Sequence, residues 1–192
     1  MKPIAGRELV RAAVLLSGGL DSMATAALLL RQGHRVEGLF VDYGQASAER
    51  ERAASEAIAS ALRIPLTTCN ALGLRPPDPP NLPGRNGLLL HIALHVLTPI
   101  QGLIAIGIHS GSIYPDCTEA FIDSVQRLFD LYTGGTVSAV APFLTATKEA
   151  IWQYCQDERL PVDLSYSCEL GLEQPCGRCL SCDDRRRLAS RA

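Results

Sequence analysis

The stretch S-G-G-L-D-S at residues 17–22 decides the fold of this chain, and it follows the apolar run A-A-V-L-L at residues 12–16. A run that breaks into a Ser/Gly turn is typical of a buried strand, and the Ala- and Leu-rich residues 23–31 predict a helix. The first N–H groups of a helix lack backbone partners, and the helix dipole favours negative charge there. Ser17 and Ser22 add hydroxyl donors. We therefore predict a loop that binds phosphate or pyrophosphate.

Two common phosphate-binding motifs are absent from the sequence. It contains neither G-x-x-x-x-G-K-[ST] nor a G-x-G-x-x-G that follows a strand. The order of strand, S-G-G-x-D-S and helix instead resembles the pyrophosphate loop of the ATP pyrophosphatases, the PP-loop superfamily. That resemblance implies an enzyme that splits ATP into AMP and pyrophosphate while it activates a substrate oxygen as an adenylate.

The composition is that of an ordinary globular protein. A chain of 192 residues, 47% of them hydrophobic, is long enough for one domain with a continuous core. Its formal charge of -2 gives no bulk attraction to nucleic acid or to anionic membranes. No run reaches the roughly 18 apolar residues that span a bilayer, and the N-terminus lacks a signal-peptide pattern. We expect a cytoplasmic protein without a membrane or nucleic-acid partner.

Strand and helix signals alternate after the loop. Apolar runs predict strands at residues 36–41, 64–69, 102–108 and 137–140, and helical patterns lie at residues 46–62, 87–97, 118–131 and 148–157. A Pro- and Gly-rich loop is expected at residues 70–83. This alternation implies an α/β fold with a doubly wound parallel sheet of about five strands. Ligands bind such sheets beyond the carboxyl ends of the strands, where Ser17, Asp42, His109 and Pro142 are expected.

Four of the seven cysteines crowd the C-terminal end: Cys168, Cys176, Cys179 and Cys182. Cys-x2-Cys spacing lets a turn present two sulfurs to one ion, so this cluster favours a metal site over a disulfide framework. Structural Zn²⁺ is the expected occupant; an iron–sulfur cluster uses the same ligands, and four unrelated buried cysteines are the remaining alternative. We expect residues 1–162 to form an ATP-binding α/β domain and residues 163–192 a zinc segment packed on it.

Several further strings carry a resemblance along nearly the whole chain. They are D-Y-G-Q at residues 42–45, P-G-R-N at 83–86, Y-P-D-C at 114–117, L-T-A-T-K-E at 144–149 and P-C-G-R-C-x-x-C at 175–182. In this order they resemble the 7-cyano-7-deazaguanine synthase (QueC-type) family. The resemblance implies an adenine nucleotide alpha hydrolase-like fold, one structural zinc on four cysteines and a homodimer.

The same resemblance implies a ligase that uses ATP, 7-carboxy-7-deazaguanine and ammonia. The carboxylate of the deazaguanine is adenylated and then aminated to an amide, and the amide is activated again and dehydrated to the 7-cyano nitrile. Candidate catalytic residues under this scheme are Asp21, Lys148 and Arg85.

At the ATP end of the implied site, the pyrophosphate would be held by Leu16, Ser17, Gly18, Gly19, Leu20, Asp21 and Ser22. Asp21 would also recruit Mg²⁺, because a carboxylate that faces phosphates needs a cation between them; capping of the helix is its alternative role. Lys148 is one of only two lysines in the chain. It would neutralise the leaving pyrophosphate, with a solvated helix lysine as the alternative.

On the substrate side, the implied binding residues are Tyr43, Gln45, Arg85 and Asp116. The Pro-Gly turn before Arg85 would aim its guanidinium at phosphate or carboxylate, with an exposed loop arginine as the alternative. Tyr43 and Gln45 would stack on a purine-like ring or hydrogen-bond to it. Asp116 would pair with the guanidine-like edge of the deazaguanine or, alternatively, cap a helix.

Three further groups carry weaker signals. His109 follows a predicted strand and is either an acid–base group or a loop histidine with structural hydrogen bonds. Cys117 is interpreted as packing, because adenylation needs no thiol nucleophile. His91 and His95 are four residues apart on a predicted helix, but no third metal ligand accompanies them, and we interpret both as structural.

The chain departs from the family on the substrate side. Ala46 and Thr118 stand where the family usually has basic residues, residues 108–113 replace an Asn-rich, Tyr-containing loop, and the loop at residues 70–83 is shorter. An alternative is therefore a paralogue that transfers a deazaguanine acid to an amine on a protein partner in bacterial defence. A non-catalytic nucleotide-binding subunit and a tRNA-modifying pyrophosphatase are further alternatives, although Arg185 to Arg187 form the one short basic run.

Overall fold

The computed structural model describes residues 10–71, 83–96, 101–112 and 114–190. Five strands lie in these ranges: β1 Arg11–Leu15, β2 Arg35–Asp42, β3 Leu66–Asn70, β4 Gly102–Ala105 and β5 Val137–Val140. The strand expected at residues 102–108 is therefore shorter than predicted. Most of the predicted Pro-rich loop, from residue 72 to 82, lies outside the described residues.

The five strands form one parallel sheet in the order β3-β2-β1-β4-β5. Strand β1 is central and pairs with β2 on one side and with β4 on the other; Val14 lies opposite Gly38 and Ala105. The chain winds outward in one direction from β1 to β3 and in the other from β4 to β5, so the carboxyl ends of β1 and β4 flank the switch point of the sheet. The predicted doubly wound parallel fold is confirmed.

Six α-helices are present in the described residues: α1 Leu20–Arg31, α2 Ala48–Leu62, α3 Arg85–Val96, α4 Glu119–Thr133, α5 Lys148–Asp157 and α6 Leu180–Ala189. Helix α1 begins three residues earlier than predicted, immediately after Gly19. Helix α6 was not expected, because only Cys182 and Leu188 are buried along it and its sequence lacks an apolar stripe. Within the described ranges, every helix is too short or too polar to cross a bilayer.

Apolar side chains cover both faces of the sheet, which explains the continuous apolar run in β1. Ala12, Val14 and Leu16 join a core with α1, α2 and α5, whereas Ala13 and Leu15 join a second core with α3 and α4. Successive side chains of a strand point to opposite faces, so a strand buried on both faces has no polar alternation.

The C-terminal segment packs onto the first of these cores. Leu188 of α6 is 2% exposed among residues of α1 and α5. The guanidinium of Arg185 lies 5.8 Å from the ring centroid of Trp152 and donates to the carbonyl oxygen of Val162 at 2.7 Å. These contacts place α6 near the carboxyl end of the central strand β1.

Candidate active site

A cleft of about 560 Å³ opens at the carboxyl ends of β1, β2 and β4. Of the predicted site residues, its lining brings together Ser17, Asp21, Ser22, Tyr43, Gln45, Arg85 and Lys148. Leu16 and Leu20 are buried in the core beneath it. The cleft therefore joins the predicted ATP end of the site to most of its predicted substrate side.

The PP-loop, residues 17–22, is held open by its own polar groups. Gly19 is the extended N-cap of α1, and the Ser17 hydroxyl accepts from its N–H at 3.4 Å. The Ser22 hydroxyl donates to the carbonyl oxygen of Gly19 at 2.9 Å. Gly18 has a φ of +80°, and a Cβ there would lie 2.5 Å from the Glu51 carbonyl oxygen. Only glycine fits between the loop and α2, which leaves the N-terminus of α1 facing the cleft.

Asp21 and Lys148 form an ion pair across the predicted ATP end of the cleft, although they are 127 residues apart in sequence. Each side chain is 19% exposed. Lys148 is the first residue of α5, where the Thr147 hydroxyl caps the helix by accepting from the Ala150 N–H at 3.2 Å. Lys148 is thus not a solvated helix lysine, and Asp21 makes no capping bond to α1.

The second carboxylate oxygen of Asp21, Oδ1, is buried and has no hydrogen-bond partner among the described residues. A buried carboxylate oxygen without a partner is costly, and a bound cation is one way to satisfy it. Oxygen ligands of this kind are those that Mg²⁺ prefers, so the predicted Mg²⁺ ligand fits the chemistry of the site.

Gly107 lies at the switch point and was missed by the sequence analysis. A Cβ on this residue would lie 2.7 Å from both the Asp21 carbonyl carbon and the Ser22 nitrogen. The chain after β4 therefore packs directly on the first turn of α1. A glycine near the end of the strand predicted at residues 102–108 was the sequence signal available, and the sequence did not show what the strand end would touch.

The turn between β2 and α2 is shaped by Gln45. Its side-chain oxygen accepts from the Tyr43 N–H at 2.9 Å, and its side-chain nitrogen donates to a carboxylate oxygen of Glu51 at 3.0 Å. Tyr43 lies beside Arg85: burial raises the pKa of the Tyr43 hydroxyl, and the nearby guanidinium opposes that rise. The side-chain amide of Gln45 thus stabilises this turn. The contact predicted between Gln45 and the substrate stays a prediction.

Asp116 is not among the described residues that line the cleft. Its carboxylate accepts from the N–H of Asn86 at 3.1 Å, and the Asn86 side chain donates to its carbonyl oxygen at 3.0 Å. Asp116 thus caps the start of α3 and fixes the residue next to Arg85. Its predicted contact with the deazaguanine stays a prediction.

Cys117 and His91, which carry weaker sequence signals, both lie among other side chains or backbone groups of the fold. Burial raises the pKa of Cys117, which leaves it a neutral thiol in the cleft wall. The Nδ1 atom of His91 lies 2.7 Å from the Gly87 carbonyl oxygen, and its ring packs edge-on against Phe129. The interpretation of these residues as packing groups agrees with these contacts.

The four C-terminal cysteines converge, with all four sulfur atoms within 4.8 Å of one another. The sulfurs of Cys176 and Cys182 are 3.9 Å apart. A tetrahedral ion with metal–sulfur bonds of about 2.3 Å places its sulfurs roughly 3.8 Å apart. Burial acts to raise the pKa of Cys168, but hydrogen bonds from the N–H groups of Cys176 and Leu170 and from the side chains of Cys176 and Tyr166 together lower it to about 6. The cluster can therefore bind a metal ion.

The cysteine segment also forms one wall of the cleft. The N–H of Tyr166 donates to the Gly18 carbonyl oxygen at 2.9 Å. Gly171 packs on the turn before α2, and a Cβ on it would lie 2.1 Å from the Ala46 carbonyl oxygen. Glu169 lines the cleft and accepts from the hydroxyl of Ser181 at 2.8 Å. The sequence predicted the metal cluster but not its position against the PP-loop.

Comparison with known proteins decides the family. The family model described as queuosine biosynthesis protein QueC matches residues 11–75 and 78–191. The chain belongs to the QueC family. A relative from Methanothermobacter thermautotrophicus, named 7-cyano-7-deazaguanine synthase, is 30% identical over 93% of this chain and 93% of its own length.

Solved structures show the fold of this QueC family member to be that of PP-loop proteins. The U34-tRNA thiolase NcsA from Methanococcus maripaludis, solved with its [4Fe-4S] cluster, matches 96% of this chain and 65% of its own with a TM-score of 0.55 and 13% identity. The NMN synthetase from Francisella tularensis matches 88% of this chain and 70% of its own with a TM-score of 0.52 and 13% identity.

Proposed function

We propose that this QueC family member is a 7-cyano-7-deazaguanine synthase. It would adenylate the carboxylate of 7-carboxy-7-deazaguanine with ATP, replace AMP with ammonia, and convert the resulting amide to the nitrile after a second activation. The observation that carries this proposal is the single cleft that joins the PP-loop and the Asp21–Lys148 pair to Tyr43 and Arg85. The name of the relatives supplies the identity of the product.

At the ATP end, the N-terminus of α1 and the hydroxyls of Ser17 and Ser22 would bind the pyrophosphate. Charge builds up on the leaving pyrophosphate as the carboxylate oxygen attacks the α-phosphorus. Lys148 would neutralise that charge, and fixed donors of this kind need no reorganisation during the reaction. The ion pair with Asp21 holds the ammonium group of Lys148 at this position.

Mg²⁺ would be held by Asp21 together with the phosphates of ATP, where it would screen the negative charge of the nucleotide. The buried, unpartnered Oδ1 of Asp21 supports this role. The other oxygen of the same carboxylate stays on Lys148. Asp21 thus links the cation and the ammonium group that face the same phosphates.

At the substrate end, the carboxylate to be activated would lie between Arg85 and the α-phosphate. Arg85 lies at the start of α3, whose first turn is fixed by the Asn86–Asp116 bonds. A guanidinium with this support binds a carboxylate through two parallel hydrogen bonds. The neutral Tyr43 hydroxyl and ring would flank the deazapurine, with Gln45 and Asp116 as the further predicted contacts.

For the cysteine cluster we propose Zn²⁺ in a structural role. Sulfur separations below 4.8 Å suit four ligands around one ion. The four thiolates of a [4Fe–4S] cluster bind four different irons and those of a [2Fe–2S] cluster bind two, so either cluster spaces some of the sulfurs more widely than one ion does. Four thiolates fill the coordination sphere of Zn²⁺, so the ion would hold the cleft wall and take no part in catalysis.

The test is an incubation with 7-carboxy-7-deazaguanine, Mg-ATP and ammonium, read by mass spectrometry. Nitrile together with AMP is the expected result. An adduct on a co-purified protein would favour the paralogue that transfers the acid to a protein amine, and no AMP with any deazaguanine acid would refute the proposal. Metal analysis of the purified protein tests for one zinc, and light scattering tests the homodimer that the resemblance implies.

A matched pair of variants tests the assignment of the cleft. Lys148→Met removes the charge that faces the pyrophosphate, whereas Arg52→Met removes a charge from the exposed face of α2, where Arg52 pairs with Glu56. We expect AMP formation to fall only in the first variant. Equal AMP formation by both variants would contradict the role of Lys148.

A further inference from the structure

His109 follows β4 and lies in the lining of the same cleft as Lys148 and Arg85. It lies two residues after Gly107, whose backbone packs on the first turn of α1. The side chain is half-buried. The imidazole therefore belongs to the same cleft as the residues proposed for ATP and for the substrate.

The structure fixes which ring nitrogen carries the proton. The Nδ1 atom of His109 lies 2.6 Å from the carbonyl oxygen of Ser110. A carbonyl oxygen can only accept a hydrogen bond, so Nδ1 carries the hydrogen and donates it. In the neutral imidazole, Nε2 is then the nitrogen with the open lone pair. A histidine oriented in this way is equipped to accept a proton at Nε2.

The loop that carries His109 is tied to the support of Lys148. Both the N–H and the hydroxyl of Ser110 donate to the carbonyl oxygen of Ala146, at 3.0 Å and 2.6 Å. Ala146 lies two residues before Lys148 and one before the capping residue of α5. Two hydrogen bonds thus join the loop that carries His109 to the segment that precedes Lys148. They help to fix the position of the imidazole, and a group that transfers a proton requires such a fixed geometry.

Each carboxylate in the lining of the described cleft has at least one protein donor, although Oδ1 of Asp21 has none; Glu169 accepts from the Ser181 hydroxyl at 2.8 Å. Asp21 pairs with Lys148, and Glu51 accepts from Ser47 at 2.8 Å and from Gln45 at 3.0 Å. Asp184 accepts from Arg187 at 2.9 Å. These contacts give the carboxylates structural roles, whereas an imidazole whose Nδ1 is engaged can accept a proton at Nε2.

We propose that Nε2 of His109 is the general base for the nitrogen nucleophile. As the ammonia nitrogen attacks the acyl carbon, the C–N bond forms, the C–O bond to AMP breaks with its electron pair on the AMP oxygen, and the proton from nitrogen passes to Nε2. Nε2 releases this proton to solvent. After the amide oxygen has displaced pyrophosphate from a second ATP, the two remaining N–H protons pass to Nε2 one at a time, and each is released to solvent before the next is accepted. The C–O bond to the second AMP then breaks and the nitrile forms.

Because this role presupposes the proposed function, the test separates adenylation from amination. Hydroxylamine is largely the free base at neutral pH, whereas ammonia is almost entirely ammonium. The oxygen bonded to its nitrogen also makes hydroxylamine a strong nucleophile, so it traps an acyl adenylate as a hydroxamate without a base to remove its proton during the attack. His109→Asn retains a side-chain donor for the Ser110 carbonyl but has no basic nitrogen, and His95→Asn on the exposed end of α3 is the matched control.

We expect His109→Asn to form nitrile about 10²-fold or more slowly than the unmodified protein, with hydroxamate formation unchanged. Added imidazole should restore nitrile formation in His109→Ala, because the base can then be supplied from solution. Nitrile formation unchanged in His109→Asn, or an equal loss of hydroxamate and nitrile, would overturn the proposal. If the unmodified protein yields neither hydroxamate nor AMP, the proposed function itself fails, and the role of His109 fails with it.

Discussion

Replacement of Gly107 by alanine is the most sensitive perturbation of the contact between the sheet and the PP-loop. The added Cβ would lie 2.7 Å from the Asp21 carbonyl carbon and from the Ser22 nitrogen. Contacts of Cβ with backbone atoms shorter than 3.0 Å essentially never occur, so the first turn of α1 must move away. Neither contact is with a flexible side chain, so the strain cannot be relieved locally.

Overpacking of this kind costs about 1–3 kcal/mol of stability. A displacement of roughly 1 Å at a reacting group lowers the rate by about 10²-fold. We therefore expect Gly107→Ala to fold with a lowered melting temperature and to form AMP about 10²-fold more slowly. The loss should appear in kcat, because the phosphate donors and Asp21 are displaced from the attacking carboxylate.

Gly87→Ala in α3 is the matched control, because a Cβ there would meet only the Phe121 ring, at 3.6 Å. Replacement of glycine in a helix stabilises the fold by about 0.5–1 kcal/mol, so this variant should keep its activity and melt at a higher temperature. The assay is AMP release with saturating 7-carboxy-7-deazaguanine, combined with thermal unfolding of each variant. A fully active Gly107→Ala of unchanged stability would refute the close packing of β4 on the PP-loop.

Lys148→Met should lower kcat for AMP formation by about 10²–10³-fold, the loss that follows removal of one hydrogen-bond donor to a developing negative charge in other enzymes. Single-turnover AMP release measures this rate. Chelation of the Zn²⁺ proposed for the cysteine cluster should lower the melting temperature and abolish ATP binding together, because the N–H of Tyr166 donates to the Gly18 carbonyl oxygen. ATP binding by the metal-free protein would contradict that coupling. Asn86→Ala should destabilise the fold by about 1–3 kcal/mol in thermal unfolding, since it leaves the Asp116 carbonyl oxygen without its donor. Cys117→Ser should form AMP at an unchanged rate, because burial keeps this thiol protonated; a large loss would contradict its interpretation as packing.

The elements that could be predicted from the sequence are those with a local signal. The apolar run of β1, the Ser/Gly turn and the following helix lie next to one another in sequence, and residues 17–22 showed the PP-loop directly. The alternation of strands and helices predicted the parallel sheet, whose order the structure then supplied. The spacing of the four C-terminal cysteines was enough to predict a group of side chains that can bind a metal ion.

Contacts between segments that are distant in sequence could not be predicted from local patterns. The proximity of Asp21 to Lys148 depends on the placement of α5 beside α1, and the capping role of Asp116 depends on a loop that meets α3 from thirty residues away. Helix α6 escaped prediction because its burial rests on Leu188 and on the stacking of Arg185 over Trp152. Its proximity to the PP-loop is a consequence of those tertiary contacts.

Transfer of isotopic oxygen tests most directly the claim that this cleft adenylates a carboxylate. The substrate is 7-carboxy-7-deazaguanine with ¹⁸O in both carboxylate oxygens, incubated with Mg-ATP and ammonium. Each activation joins one substrate oxygen to the α-phosphorus, and that oxygen leaves with the nucleotide. We expect nitrile and AMP, and every AMP formed during turnover should carry one ¹⁸O in its phosphate. Label in inorganic phosphate with release of ADP, or AMP without label, would contradict it.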